Sequence, residues 1–370
     1  MTETAVGAET GAWGTLTQGL STMFRRLLLG KSSSAIAPTI IVALLFVANA
    51  VVQPSFVNSS NWAPTLAVAS TFILTGLAEV PPMLSGNGGI DVSVGPFAGF
   101  VTVFVVVALV PAGIRAPETL LPLVLGLGLA SGAMTGLLVA FLRVPPIIVT
   151  LGGYLFYSGI STDLLPSPGG TMPAWVGQLT GSYGPMPGVL IVFAVVALCW
   201  YLLTRTAYYR NLLAVGGDDR TAYTAGVNVA MVRVGAYVLA GLFCALAGLL
   251  LAGTLGGGDA TVGSNFTLTA IAAAALGGVS LAGGRGTLFG AAMGGAILYL
   301  TQNLLTVAHV SVFQLDIVDG AILVLALALN GSLESLRRRA GGQRVAQRPV
   351  QTGPQQQGGP TEARLGLVPR

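Results

Sequence analysis

Most of this chain consists of apolar runs about as long as a lipid bilayer is thick, and this feature limits the fold more than any other. Of its 370 residues, 53% are hydrophobic and only 8% are charged, whereas soluble chains carry about 25% charged residues. So few charges cannot cover the surface of a folded protein of this size in water. In lipid the backbone must satisfy its hydrogen bonds internally, as helices do. The sequence therefore predicts an all-α, polytopic membrane protein.

The apolar runs predict about ten transmembrane helices, some of them broken or short. They lie at 35–52, 64–84, 93–111, 119–141, 146–164, 186–204, 234–253, 266–281, 287–307 and 312–330. We expect a cytoplasmic N-terminal arm over 1–34, a transmembrane permease domain over 35–330 and a cytoplasmic disordered tail over 331–370. The tail is polar and rich in Gln and Gly, and its last four residues read as a tag remnant.

The positions of the basic residues predict the orientation in the membrane. With ten spans and both termini in the cytoplasm, every lysine and arginine except Arg115 lies on the cytoplasmic side. Cytoplasmic loops of membrane proteins are enriched in these residues. An even number of spans with both ends inside is therefore expected.

Residues for the commonest catalytic and metal sites are scarce. Lys31 is the only lysine and His309 the only histidine. Gly30-Lys31-Ser32 resembles the end of a phosphate-binding loop, but Arg25 stands where that motif needs glycine, and no strand precedes it. An intramembrane protease using Ser161 and His309 is an alternative for which nothing orients the pair. We expect a non-catalytic chain that binds no cofactor and no metal.

A few polar residues within the apolar runs are candidates for a solute pathway. Glu79 and Asp91 flank a segment that contains Pro81-Pro82 and the glycines of 86–89, and broken helices expose backbone groups that transporters use to bind solutes. The candidate pathway residues are Asp91, Ser93, Asn49, Thr150, Asn303, Asp316 and Asp319.

Each candidate has a structural alternative. Asp91 is suited to capping the helix that follows it. Asp316 and Asp319 complement the positive end of a helix dipole. Asn49, Thr150 and Asn303 are equally suited to hydrogen bonds between helices.

Two glycine patterns predict close packing. Gly128, Gly132 and Gly136 recur every four residues and indicate one close-packed helix face. The segments 88–95 and 277–284 also resemble each other, which is typical of an internal duplication, although chance similarity between glycine-rich turns is the alternative.

The segment 205–233 is the longest polar stretch on the predicted cytoplasmic side. Within it, Asp218 or Asp219 is placed to cap a short helix that ends before Gly226. A short capped helix on the inner surface has a shape suited to docking into a soluble partner.

Four stretches resemble the permease subunits of ribose/xylose/arabinose-type monosaccharide ABC importers, in order and in spacing. They are Gly88-Gly89-Ile90-Asp91-Val92-Ser93-Val94-Gly95, Val144-Pro145-Pro146-Ile147-Ile148-Val149-Thr150-Leu151-Gly152, the loop 211–227, and Ala270-Ile271-Ala272-Ala273 through Gly283-Gly284-Arg285-Gly286. The resemblance covers about residues 35–330.

This resemblance implies a multi-pass subunit of the bacterial cytoplasmic (inner) membrane that works beside a second permease copy or a sister permease. It also implies a cytoplasmic ABC ATPase, which binds ATP and Mg, and a periplasmic or lipid-anchored sugar-binding protein. The coupling helix that fits the ATPase would lie in 216–227. The residues implied in coupling are Gly216, Gly217, Asp218, Asp219, Arg220, Ala222 and Gly226.

The sequence departs from the pattern of this family at Tyr209, Asp218, Tyr223 and Thr267, which leaves the identity of the sugar and the details of ATPase pairing undetermined. Alternative cargoes are a nucleoside, inositol, an autoinducer sugar and a branched-chain amino acid. An ion-coupled secondary transporter is the other alternative, but it would need paired acids at mid-membrane.

Overall fold

The computed structural model describes residues 33–183 and 186–346, and these fold almost entirely as helices. In chain order the α-helices are α1 Ser33–Val52, α2 Trp62–Leu84, α3 Val94–Phe104, α4 Pro117–Ala140, α5 Pro146–Leu164, α6 Ala174–Thr180, α7 Val189–Thr204, α8 Ala207–Gly217, α9 Asp219–Thr224, α10 Val229–Leu255, α11 Phe266–Leu276, α12 Leu288–Val307 and α13 Val312–Ala346. Short 3₁₀ turns precede α2 and α11, and a π-helical turn, Val105–Leu109, follows α3. Two two-residue strands, β1 Ser182–Tyr183 and β2 Met186–Pro187, pair antiparallel.

Six helices in the described part of the chain are long and apolar enough to cross a membrane. They are α2, α4, α5, α10, α12 and the part of α13 over Phe313–Ser332. α7 and α8 together pass the same criterion but bend by 77° at the break between them. Three further apolar segments, Ile36–Val52, Val94–Leu109 and Val262–Leu276, are shorter. The chain is thus a polytopic all-α membrane protein.

α10 lies at the centre of the bundle and packs against α2, α3 and α4. The contact with α4 runs along the glycine face that the sequence predicts. A Cβ on Gly132 would lie 2.2 Å from the carbonyl oxygen of Tyr237, and one on Gly128 would lie 2.4 Å from that of Gly241. The predicted close-packed face is therefore confirmed, and it holds α4 against α10 at backbone distance.

Three segments differ from their predicted form. The span expected over 266–281 contains only the 11 residues of α11, and at 1.5 Å per residue such a helix is too short to cross the hydrocarbon layer alone. The polar stretch 205–233 is mostly helical, because it contains α8, α9 and the first turn of α10. α13 extends to Ala346, into the segment expected to be tail. The rest of that tail and nearly all of the N-terminal arm lie outside the described residues.

Candidate functional site

The short helix α9 is held between α8 and α10 by a cap at its first turn. Asp218 precedes α9, and its Oδ1 accepts a hydrogen bond of 2.9 Å from the backbone N–H of Thr221. This N–H stabilises the charged carboxylate and so lowers the pKa of Asp218 below its ordinary value. Gly226 follows the helix with φ of 83°. The capped helix predicted from the sequence is therefore present, whereas its coupling role stays a prediction.

One face of α9 packs on the protein and the other is open. Ala222 is buried, while Tyr223 is 73% exposed and Arg220 is exposed beside it. A six-residue helix with so little packing depends on its flanking contacts for its position. The exposed side of α9 is therefore free, within the described chain, to meet another protein.

An ion pair ties α9 to the central helix. Asp219 pairs with Arg233, which lies in the second turn of α10 and is 13% exposed. The partner of Asp219 was not predictable from the sequence, because the two residues lie 14 apart across a chain reversal. A displacement of α9 would strain this ion pair and act on α10 directly.

A cavity of about 1090 Å³ opens beside this ion pair. Its lining includes Asn87, Arg143, Asp219, Arg220, Tyr223 and Arg233. Asn87 belongs to the turn after α2, so the cavity extends from the exposed helix α9 to the broken segment that carries Asp91. Three arginines and one aspartate give this lining a positive character.

Two glycine-rich turns meet the end of α8 next to α9, and we call the meeting of Gly86, Gly216, Gly283 and Gly284 the glycine junction. The N–H of Gly284 donates a 3.0 Å hydrogen bond to the carbonyl of Leu84. A Cβ on Gly216 would lie 1.8 Å from the same carbonyl oxygen, and one on Gly283 would lie 2.5 Å from the Cα of Gly86. Only glycine permits backbones to approach this closely.

The glycine junction includes only one of the two segments that resemble each other in sequence. Gly283 and Gly284 end the second segment, 277–284, whereas the first, 88–95, begins two residues after Gly86. Gly86, Gly283 and Gly284 all have positive φ, at 75°, 97° and 68°. The internal duplication therefore stays a prediction.

The break after α2 lies at the glycines and not at the prolines. The expectation that Pro81-Pro82 interrupts the helix is wrong, because α2 continues through both to Leu84. The chain leaves the helix at Ser85, where Gly86, Asn87 and Gly88 all take positive φ. Consecutive residues in this conformation reverse the chain, which returns it into the bundle before α3.

Asp91 lies at the buried end of this returning segment. Its Oδ1 accepts hydrogen bonds from the backbone N–H and the hydroxyl of Ser93, at 2.9 and 2.5 Å. Its own backbone N–H donates to Oε2 of Glu79 at 3.2 Å. Asp91 thus orders the turn that leads into α3 and also contacts a second buried acid. It is not the cap that the alternative predicted, because the N-cap of α3 is Ser93 and no side chain caps this helix.

Thr150 of α5 joins this group of predicted residues. Its hydroxyl donates to the carbonyl of Pro146 at 3.0 Å and lies 3.5 Å from the carbonyl oxygen of Ile90. A Cβ on Gly153 of α5 would lie 3.1 Å from the Cβ of Ser93. The structure therefore brings Asp91, Ser93 and Thr150 together around the broken segment.

The remaining candidates make contacts between helices. Asn49 of α1 donates to the carbonyl of Leu300, and its Oδ1 accepts from Asn303 of α12 at 2.8 Å. Asp319 of α13 accepts from Gln302 of α12. The contacts of Asn49 and Asn303 are those of the packing alternative. The helix-dipole alternative for Asp319 is wrong, because the first turn of α13 contains no acidic residue and Asp319 pairs with another helix. None of these contacts reaches the Asp91 group. The side chain of Asp316 lies outside the described residues.

The structure adds residues that the candidate set lacked. The side-chain oxygens Glu79 Oε1, Thr71 Oγ1 and the Tyr237 hydroxyl are buried and have no hydrogen-bond partner in the described protein. Thr71, Thr75 and Glu79 recur every four residues, so this spacing already indicated one polar face of α2.

No group of three or more His, Cys, Asp or Glu suited to a metal occurs among the described residues.

Comparison with known proteins gives consistent matches over nearly the whole chain. Residues 63–327 match the family described as branched-chain amino acid transport system / permease component. A probable ABC transporter permease protein, YphD of Escherichia coli K12, is 32% identical over 321 residues, covering 85% of this chain and 94% of its own. The autoinducer 2 import system permease protein LsrC of E. coli O9:H4 is 31% identical, covering 84% and 90%. LsrC of Salmonella paratyphi B is 32% identical, covering 80% and 86%. No solved structure matches the chain.

Proposed function

This chain belongs to the family described as branched-chain amino acid transport system / permease component, and from that membership we propose that it is the membrane permease of an ABC importer that carries a monosaccharide. A partner ATPase binds ATP and Mg and supplies the energy. An extracytoplasmic binding protein delivers the solute, and two permeases, identical or sister chains, alternate between outward and inward access.

The observation that carries this proposal is the exposed, capped helix α9 beside the glycine junction. Its outer face is free in the described chain, and its inner side is fixed to α10 by the Asp219–Arg233 ion pair. A partner that binds Arg220 and Tyr223 would therefore move two parts of the protein at once. It would move α10 through the ion pair and the glycine junction through Gly216. The proposed coupling residues Gly216, Gly217, Asp218, Asp219, Arg220, Ala222 and Gly226 all lie on this segment.

The proposed topology has ten crossings and cytoplasmic ends in the bacterial inner membrane. The six long spans, the bent pair α7–α8 and the three shorter apolar segments together make ten. Since α11 is too short to cross alone, its proposed crossing includes the residues that flank it. An even number keeps the basic residues on one side, as the charge bias requires.

The charges of the bundle favour a neutral cargo over an amino acid. Arg233 is the only basic residue in helices α1 to α7 and α10 to α12, and it pairs with Asp219. An amino acid would bring a carboxylate into a membrane interior that offers no basic partner there, and this is costly. A monosaccharide needs hydrogen-bonding groups only, which carboxyl, hydroxyl and amide side chains supply.

The coupling proposal is tested by purifying the chain and reconstituting it in lipid vesicles, with and without its ATPase and binding protein. We expect accumulation of a labelled monosaccharide only with both partners and ATP, because the chain has no energy source of its own. Accumulation by the chain alone under an ion gradient would refute the proposal in favour of a secondary transporter.

The cargo is tested separately with the complete complex. Uptake of labelled ribose, xylose and arabinose is compared with that of autoinducer 2, the solute named for the LsrC relatives, and with leucine. We propose uptake of a pentose; autoinducer 2 is the second candidate, because its importers' permeases are among the similar chains. Leucine uptake alone would contradict the charge argument.

A further inference from the structure

A buried group of side chains on α2, α10 and the broken segment has more hydrogen-bonding atoms than the protein satisfies. Glu79 is fully buried and Tyr237 is 1% exposed, yet Glu79 Oε1 and the Tyr237 hydroxyl have no partner within the described residues. An unpaired buried polar atom is destabilising, and native proteins contain few. These atoms therefore need a partner that the resting protein does not supply.

The unpaired groups lie on two helices that pack against each other, since Glu79 is on α2 and Tyr237 is on α10. Glu79 Oε2 also accepts a hydrogen bond from the backbone N–H of Asp91 at 3.2 Å. No lysine or arginine in the described chain pairs with either acid. We call Glu79, Asp91 and Tyr237 the polar cluster.

We propose that the polar cluster is a contact point for the transported solute, and that this solute is uncharged and rich in hydroxyl groups. The inference rests on the proposed permease function and names the substrate class and residues of its pathway. Carboxyl oxygens accept from solute hydroxyls, and a phenol both donates and accepts. Thr75 and Thr71, one and two turns before Glu79 on the same face of α2, continue the row of polar groups.

The glycine junction closes the pathway on the side of α9. Leu84, whose carbonyl is held by Gly284, follows Glu79 by five residues, about 7.5 Å along a helix. The polar cluster is therefore adjacent to the junction, and parting of the junction opens it toward the coupling side. The same movement displaces Gly216, from which the chain runs directly into α9.

The first test compares Tyr237→Phe with the matched control Tyr208→Phe. The Tyr208 hydroxyl donates to the carbonyl of Val232 at 3.0 Å, whereas that of Tyr237 has no partner among the described residues. In the reconstituted complex, with labelled ribose, xylose and arabinose as probes, we expect Tyr237→Phe to raise KM about tenfold, the effect of one lost hydrogen bond. Its thermal midpoint should not fall, because no hydrogen bond within the described protein is lost. Tyr208→Phe should lower the midpoint and leave KM unchanged.

Two substitutions of Glu79 should lower uptake to different extents. Glu79→Gln keeps hydrogen bonding and should retain uptake within about tenfold, whereas Glu79→Leu should abolish uptake. Wild-type KM in Tyr237→Phe together with a lowered thermal midpoint would assign that hydroxyl a structural role and overturn the inference.

A second measurement does not depend on knowing the cargo. Cys244 is buried and lies seven residues after Tyr237, about two turns further along the same face of α10. In a Cys199→Ser background, a water-soluble maleimide should label Cys244 during ATP turnover by the complex and not at rest. Turnover without labelling would overturn the inference while leaving the permease function intact. Absence of any ATPase stimulation by the wild-type complex would instead refute the proposed function itself.

Discussion

Gly216 is the residue on which the inner end of the molecule depends most. A Cβ at this position would lie 1.8 Å from the carbonyl oxygen of Leu84 and 2.4 Å from the backbone nitrogen of Gly284. Both neighbours are backbone atoms, so no side-chain rotation relieves the overlap. Its chain neighbour Gly217 is open, since nothing lies within 4 Å of its Cβ position.

We expect Gly216→Ala to destabilise the resting protein by about 1–3 kcal/mol, as overpacking does. Gly217→Ala is the matched control and should be neutral. Thermal unfolding of the purified chain, followed by tryptophan fluorescence, measures both. An equal midpoint for the two variants would show that the junction is not closed in this way.

The sequence predicted these residues only in part. Gly216, Gly217 and Asp218 were identified through the resemblance of the loop, and the cap by Asp218 follows from local chemistry alone. That Gly216 touches Leu84 was not predictable, because the contact joins segments more than 130 residues apart. The unpaired hydroxyl of Tyr237 was equally unpredictable, because whether it has a partner depends on the helices that pack around α10.

At the scale of single elements, the backbones of α4 and α10 lie in close contact at three glycines spaced four residues apart. Gly128, Gly132 and Gly136 face α10, whereas Gly126 on the same helix faces open space. The four-residue spacing alone identified this face correctly, because small residues at that spacing have one main use in membrane helices.

We predict that Gly132→Ala reduces the yield of folded protein, whereas Gly126→Ala does not. The added methyl group at 132 overlaps the carbonyl of Tyr237, which has no room to move within the central helix. The measurement is the monodisperse fraction in detergent size-exclusion chromatography. Equal fractions for both variants would contradict close packing at this face.

The link between α9 and α10 gives a prediction of its own. Asp219→Asn leaves Arg233, which is mostly buried, without its counter-charge. We expect ATPase stimulation by the reconstituted permease to fall several-fold, and the exchanged pair Asp219→Arg with Arg233→Asp to recover part of it.

Arg210→Gln is the control for this experiment, because it removes an exposed charge of the neighbouring helix α8 that belongs neither to the ion pair nor to the proposed coupling residues. A double-mutant cycle separates the pair from effects of each charge alone. Additive losses, with no recovery in the exchanged protein, would show that the ion pair does not transmit movement.

For the whole molecule, the membrane class and the helical architecture followed from composition and apolar length. The shortening of α11 was less predictable, because its glycine-rich end and its buried position depend on the turns it meets. The folding of the stretch 205–233 into helices was also underestimated, since its polar composition resembles that of a loop. Tertiary contacts decide both cases.

The orientation of the whole chain is tested at position 220. A cysteine placed there, in a background without Cys199 and Cys244, should react with an impermeant maleimide in inverted membrane vesicles and not in intact spheroplasts. Position 115 is the control and should show the reverse, because Arg115 is the one basic residue expected outside. Labelling of both from the same face would contradict the three crossings, 119–141, 146–164 and 186–204, that are predicted between these two positions.

The glycine junction has a consequence for how this protein tolerates change. Three segments of the chain meet there through backbone atoms alone. No side chain takes part in the contact, so a substitution elsewhere cannot compensate for a change at these glycines. A saturation scan should consequently show positions 86, 216 and 283 as isolated intolerant points amid permissive neighbours such as 217. Differences in the transported solute between related proteins would then have to arise from residues outside the glycine junction, while the junction itself stays the same.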